Sequence, residues 1–106
     1  MRPPTNFLTS QKMSKIDVTV QIGNTDDKLK QAEWSRFVGK VEALIPNSAG
    51  VYFSGFSNPA ASWQNACWVF SIEPSEASFL HGKLKKIREE FLQESVAWTE
   101  GKTVFI

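Results

Sequence analysis

Two stripes of helical periodicity, each set between strand-like runs, constrain this chain more than any other feature of its sequence. Ile16, Val18, Val20 and Ile22 alternate with Asp17, Thr19 and Gln21, the pattern of a strand with one buried face. Trp34, Phe37, Val38, Val41, Leu44 and Ile45 then recur at three and four residues, which is one face of a helix. Strand-like runs follow at residues 51–56 and 66–72. A second helical stripe uses Leu80, Leu84, Ile87 and Phe91, and apolar runs at 96–99 and 103–106 close the chain. Each alternating strand must bury one face, and two amphipathic helices can cover only one side of a small sheet.

The order strand-helix-strand-strand-helix-strand predicts an α+β domain of ferredoxin-like, split βαβ type, with both helices on one face of an antiparallel sheet. The resemblance rests on element order alone. Alternation assigns the covered face to Ile16, Val18, Val20, Ile22, Trp68, Phe70, Ile72, Val96 and Trp98. Asp17, Thr19, Gln21, Cys67, Val69, Ser71, Ala97 and Thr99 then fall on the other, open face. Glu100-Gly101-Lys102 reads as a tight turn, so residues 103–106 are expected to return as a fifth strand with a packed C-terminus.

The 106 residues suffice for one domain, expected over 15–106. Residues 1–14 are polar, Pro-containing and aperiodic, which predicts a flexible arm. Met13 directly before the first strand is a second candidate start of translation. The formal net charge of +1 supplies no whole-molecule field for nucleic acid or anionic membrane. No apolar run approaches the roughly 20 residues of a membrane span, and no secretory signal is legible, so the cytoplasm is the expected location. One Cys and one His leave no conventional transition-metal cluster, and no cofactor is expected. Cys67 lies in an apolar strand and reads as an inert thiol.

Between the elements, Gly23-Asn24-Thr25-Asp26-Asp27 supplies turn and capping residues, with the helix starting as late as Gln31 and Leu29 tucked inward. Pro46 ends that helix, because the residue before a proline avoids the α region. Glu73-Pro74-Ser75-Glu76 opens the second helix, with Ser75 as the candidate cap. Gly82 inside it marks either close packing or fraying. The connection across residues 57–65 is long for a hairpin, and long connections often carry function.

Candidate chemistry is sparse. Trp68 and Phe70 imitate the aromatic spacing of RNA-binding sheets of this topology, but the first strand puts no aromatic on the open face, so nucleic acid is not expected. Gly101-Lys102-Thr103 lies in a hairpin rather than between strand and helix and is no phosphate loop. Asp26 and Asp27 are too few oxygen donors for calcium and read as turn carboxylates. His81 is the one imidazole available for acid–base work and sits on the second helix as a solvated residue. Tyr52, Trp63 and Asn65, with His81, are the candidates for lining a binding pocket. Lys83, Lys85, Lys86 and Arg88 form a basic helix segment backed by Glu89 and Glu90, the mark of a solvated or partner-facing surface.

The expected function is a non-catalytic binding or interaction module, of the kind seen in small accessory, immunity or inhibitor proteins. A homodimer is expected through the open face at Thr19, Gln21, Val69, Ser71 and Thr99, with a protein partner besides. The alternative is a small-molecule-binding protein or enzyme of the dimeric ferredoxin-like type, with its pocket between sheet and helices. A fold of this kind hosts many functions and selects neither.

Overall fold

The computed structural model describes residues 15–58 and 62–106. The expected arm, residues 1–14, lies outside the described residues, as does the middle of the long connection. The described elements are β1 (Ile16–Gly23), α1 (Gln31–Leu44), β2 (Gly50–Phe56), β3 (Asn65–Ile72), α2 (Pro74–Glu90) and β4 (Ala97–Gly101), with a single 3-10 turn at Thr25–Asp27. The four strands pair antiparallel in the order β2-β3-β1-β4, the ferredoxin-like α+β arrangement.

One face of the sheet carries the core. Val18, Val20 and Ile22 of β1 meet Trp68, Phe70 and Ile72 of β3, all buried. Trp34, Phe37 and Val41 of α1 and Ala77, Leu80 and Leu84 of α2 cover them. Phe91, just past α2, stacks on Phe37 with ring centroids 5.0 Å apart. Trp98 pairs with Val20 on the same side and is half-buried at the edge. Among the strands, β1 and β3 carry the buried core, β4 adds only the half-buried Trp98, and β2 adds no residue.

The loop from β1 to α1 is built around Asn24, which is fully buried. Its Nδ2 donates to the Leu29 carbonyl at 2.9 Å, and its Oδ1 accepts from the Leu29 amide at 2.8 Å. The Asn24 amide also donates to the Gln64 carbonyl at 2.8 Å, which ties this loop to the start of β3. Leu29 is pulled inward by these bonds and joins the core.

Three expectations change. Ser75 is not the cap of α2: Glu73 holds the cap position, Pro74 opens the helix and Ser75 lies inside the first turn. Gly82 marks no close packing, since a Cβ there would meet nothing within 4 Å. The exposed Leu92 after α2 adopts a left-handed conformation (φ 55°), so that the Gln93 amide can reach the Arg88 carbonyl at 3.0 Å and close the helix.

The third change is the fifth strand, which does not form. A tight two-residue hairpin needs positive φ in its loop. No glycine among the described residues has one, and Gly101 stays extended opposite Asp17. The chain therefore runs on past β4, and residues 103–106 are exposed coil rather than a packed strand.

Candidate functional site

The face of the sheet opposite the helices is the most distinctive surface of the molecule. Register places Thr19 beside Val69 and Thr99, Gln21 beside Cys67 and Ala97, and Asp17 beside Ser71 and Gly101. Thr19, Gln21, Val69, Ser71 and Thr99 thus share one surface.

β2 adds to this face what alternation alone does not reveal. Val51 pairs with Phe70 and Phe53 pairs with Val69, so Tyr52 is the extra residue of a β-bulge. Val51 therefore follows the helix side, whereas Phe53 follows the open side with Val69. The Tyr52 hydroxyl donates to Asp17 Oδ1 at 3.1 Å, which puts Tyr52 on the open side too. Two consecutive aromatics thus lie on one face, each 57 % exposed. Gly55 makes room for the second: a Cβ at Gly55 would sit 2.8 Å from the Phe53 ring. Phe53, Gly55 and Cys67, with Gln21, line a shallow groove of about 190 Å³. Partial burial pushes the Cys67 thiol upward, which favours the protonated, unreactive form.

Asp17 gathers two distant parts of the chain. Besides the Tyr52 hydroxyl on Oδ1, its Oδ2 accepts the Thr103 amide at 3.0 Å. Bonds from Thr103 and Tyr52 to the charged carboxylate hold its pKa below the ordinary value, against a smaller desolvation effect. The Asp17 carboxylate at this edge of the open face is therefore stabilised as an anion, and the tail after β4 is anchored there.

The other predicted site residues do not converge. Trp63 and Asn65 flank a groove of about 360 Å³ beside Trp34, Phe56 and Gln64, at the far end of β3 from Asp17. Asn65 Nδ2 donates to the Trp63 carbonyl at 3.0 Å, and Ser57 and Asn65 exchange two bonds across the mouth of the connection. Gln64 and Gln31 form a reciprocal amide pair at 3.0 Å there. His81 lies on exposed α2, its ring edge-on to Trp98 with centroids 5.1 Å apart. The two rings line an open groove of about 370 Å³ with Leu84, Lys85 and Arg88. Arg88 is already committed, donating to the Gln93 and Glu94 carbonyls. Tyr52, the Trp63–Asn65 pair and His81 thus occupy three separate surfaces.

Among the described residues, no group of three or more His, Cys, Asp or Glu side chains could hold a metal ion. No described helix is long and apolar enough to cross a membrane. Sequence reasoning missed Phe53 and the Asp17–Tyr52–Thr103 cluster. The signal for the first was present: Val51-Tyr52-Phe53 breaks strict alternation between two glycines, Gly50 and Gly55.

No protein-family model matches the chain, and no curated protein is significantly similar to it. Solved structures are similar in fold. A dimeric ferredoxin-like protein of unknown function from Thermobifida fusca YX aligns with a TM-score of 0.55 at 8% identity, over 84% of this chain and 92% of its own. The de novo designed protein Foldit4 aligns with a TM-score of 0.52 at 9% identity, over 85% of this chain and 97% of its own. A dimeric ferredoxin-like protein from an uncultured marine organism aligns more loosely, with a TM-score of 0.41 at 10% identity, over 93% of this chain and 97% of its own. At these identities the likeness speaks for the fold. That a designed protein shares it illustrates how little the fold says about function.

Proposed function

We propose that this protein is a non-catalytic interaction module that forms a homodimer through its open sheet face. One observation carries the reading: the bulge at Tyr52 turns both Tyr52 and Phe53 onto the face that no helix covers. An antiparallel sheet that meets only water on one side normally presents polar residues there. Here two aromatics adjoin Val69 and the short side chains of Thr19, Ser71 and Thr99. Aromatic residues are enriched where protein surfaces meet, and charged ones are depleted at the centre. Asp17 lies at the margin of this face and already accepts bonds from Tyr52 and Thr103. A sheet face can be self-complementary about a two-fold axis, the commonest symmetry of soluble oligomers. The dimeric Thermobifida fusca protein of the same fold is consistent with this reading.

Val69→Lys tests it by analytical ultracentrifugation. A lysine at the middle of the face would be buried beside its symmetry mate, at a desolvation cost of several kcal/mol. The parent should sediment as a dimer and the variant as a folded monomer. A parent that is monomeric at high micromolar concentration removes the reading.

A second reading attaches to the groove between α2 and β4. There His81 stands against Trp98 with Lys85 nearby, an arrangement that could take a small anionic or aromatic ligand. Native mass spectrometry of the purified protein distinguishes the two readings. A co-purified small molecule lost in His81→Ala favours the groove, and a bare dimer favours the face.

A further inference from the structure

The homodimer leaves one set of apolar side chains without a place. Val104 and Phe105 follow β4 and are 79% and 86% exposed, and Ile106 is exposed beside them. Three consecutive large apolar side chains in water are costly, and no described element of the same chain covers them. Resting on the dimer reading above, we propose that residues 104–106 of each copy cross to the open face of the other and pack against its Tyr52, Phe53 and Val69.

The register of the sheet carries this. Gly101, the end of β4, lies opposite Asp17, which lies opposite Ser71, which lies opposite Gly50 at the start of β2. The exit of the tail and the Tyr52 bulge therefore stand at one level along the strands, on opposite edges of the sheet. A two-fold axis parallel to the strands and midway between two stacked faces keeps that level and exchanges the edges. It sets β4 of one copy over β2 of the other, so each tail emerges above its partner's aromatic pair. A two-fold axis perpendicular to the strands in the same plane would set the tails and the aromatics at opposite ends. Stacked sheets lie about 10 Å apart, and three extended residues reach about 10 Å. The tail also leaves in the required direction, because the Thr103 amide is held by the Asp17 side chain on the open face rather than in the ladder with β1.

The aromatics supply about half of the area that one partner of a standard interface gives. Tyr52 and Phe53 are each 57% exposed and Phe105 is 86% exposed. At about 200 Å² per aromatic side chain, the three offer roughly 400 Å². One partner of a standard interface gives about 800 Å². Val104, Ile106 and the small residues around Val69 lie on the same path. The groove beside Phe53, about 190 Å³ and lined in part by Gly55 and Cys67, has room for an aromatic ring.

Two measurements test the exchange. In the first, Val104→Ser, Phe105→Ser and Ile106→Ser are combined in the full chain and the dimer dissociation constant is measured by analytical ultracentrifugation. It should weaken at least 100-fold, with the circular dichroism spectrum unchanged. A dimer unaffected by the triple change but broken by Val69→Lys overturns the exchange and leaves the face-to-face dimer standing. A monomeric parent overturns both. In the second, Cys67→Ser copies carrying Phe105→Cys are mixed with Cys67→Ser copies carrying Tyr52→Cys under mild oxidation. A disulfide-linked heterodimer is expected in the mixture. If instead no cross-chain product forms, and one chain carrying both cysteines closes a loop within itself as a monomer, each tail covers its own face and the exchange is wrong.

Discussion

The two faces of the sheet obey different rules. On the helix side, alternation decides every position: Val18, Val20 and Ile22 interlock with Trp68, Phe70 and Ile72, and the buried polar side chains are bonded. On the open side, a single extra residue in β2 decides the character of the surface, because it moves Phe53 into line with Val69 and leaves Tyr52 beside it. The first face is specified redundantly by many residues. The second depends on one irregularity, so it can change with little cost to the fold. That separation is what lets one architecture carry many surfaces.

Neighbouring residues of β3 offer the largest contrast. Phe70 is fully buried, and Val69 beside it faces outward. Phe70→Ala should destabilise by about 3–5 kcal/mol, the range for removing a large buried ring. Val69→Ala should cost under about 1 kcal/mol in the monomer, since it removes little buried surface. Urea denaturation at low protein concentration measures both. Equal losses would mean that the open face is packed within one chain.

Asn24 sharpens the contrast from the polar side. Its side chain replaces the backbone pairing that the β1–α1 loop lacks, and truncating it leaves the Leu29 amide and carbonyl buried without those partners. Asn24→Ala should therefore cost about 2–3 kcal/mol. Asn24→Asp keeps the acceptor for the Leu29 amide but loses the donor to its carbonyl, and should be destabilising as well. A loss within a few tenths of a kcal/mol for the alanine variant would show that this loop rearranges freely.

These cases also show what was legible in the sequence. The covered face could be read because Ile16, Val18, Val20, Ile22, Trp68, Phe70 and Ile72 have polar or smaller neighbours, so period two is unambiguous. The expected open-face positions Thr19, Gln21, Val69, Ser71 and Thr99 followed from the same pattern. The bulge did not follow, because Val51, Tyr52 and Phe53 are all apolar and no periodicity fixes which side each takes. Asn24 read as a turn residue, since nothing local shows that its partner is Leu29. The expected fifth strand fails for a physical reason: glycine permits a tight turn without enforcing one, and Gly101 remains in the ladder with Asp17.

Deleting Tyr52 probes the irregularity directly. Without it, Val51 and Phe53 become adjacent and pair with Phe70 and Val69 in a regular ladder. The monomer should lose no more than about 1 kcal/mol, because no buried core residue changes register. Self-association should weaken, because one of the two aromatics leaves the face. If the deletion unfolds the protein, the bulge sets the twist of the whole sheet and the two faces are not independent.

The smallest expected effect concerns Asp17, where the open face meets the tail. Bonding from the Thr103 side chain first, then from the Tyr52 hydroxyl and the Thr103 amide, holds its pKa below the ordinary carboxylate value. A carboxylate whose pKa is lower folded than unfolded contributes stability above its unfolded pKa. That contribution fades as pH falls through the folded value, because both states are then protonated. Asp17→Asn removes the titration while keeping an oxygen that can accept one bond. At pH 7 the variant should be less stable by under about 1 kcal/mol, since the site is solvent-accessible and the bonds compete with water. The difference should shrink below the ordinary carboxylate pKa near 3.8 and vanish in stronger acid. Thermal melts of both proteins from pH 7 to pH 2 give the curve. A difference that stays constant with pH would mean that Asp17 acts through shape alone, and that the tail is not held to the open face by charge.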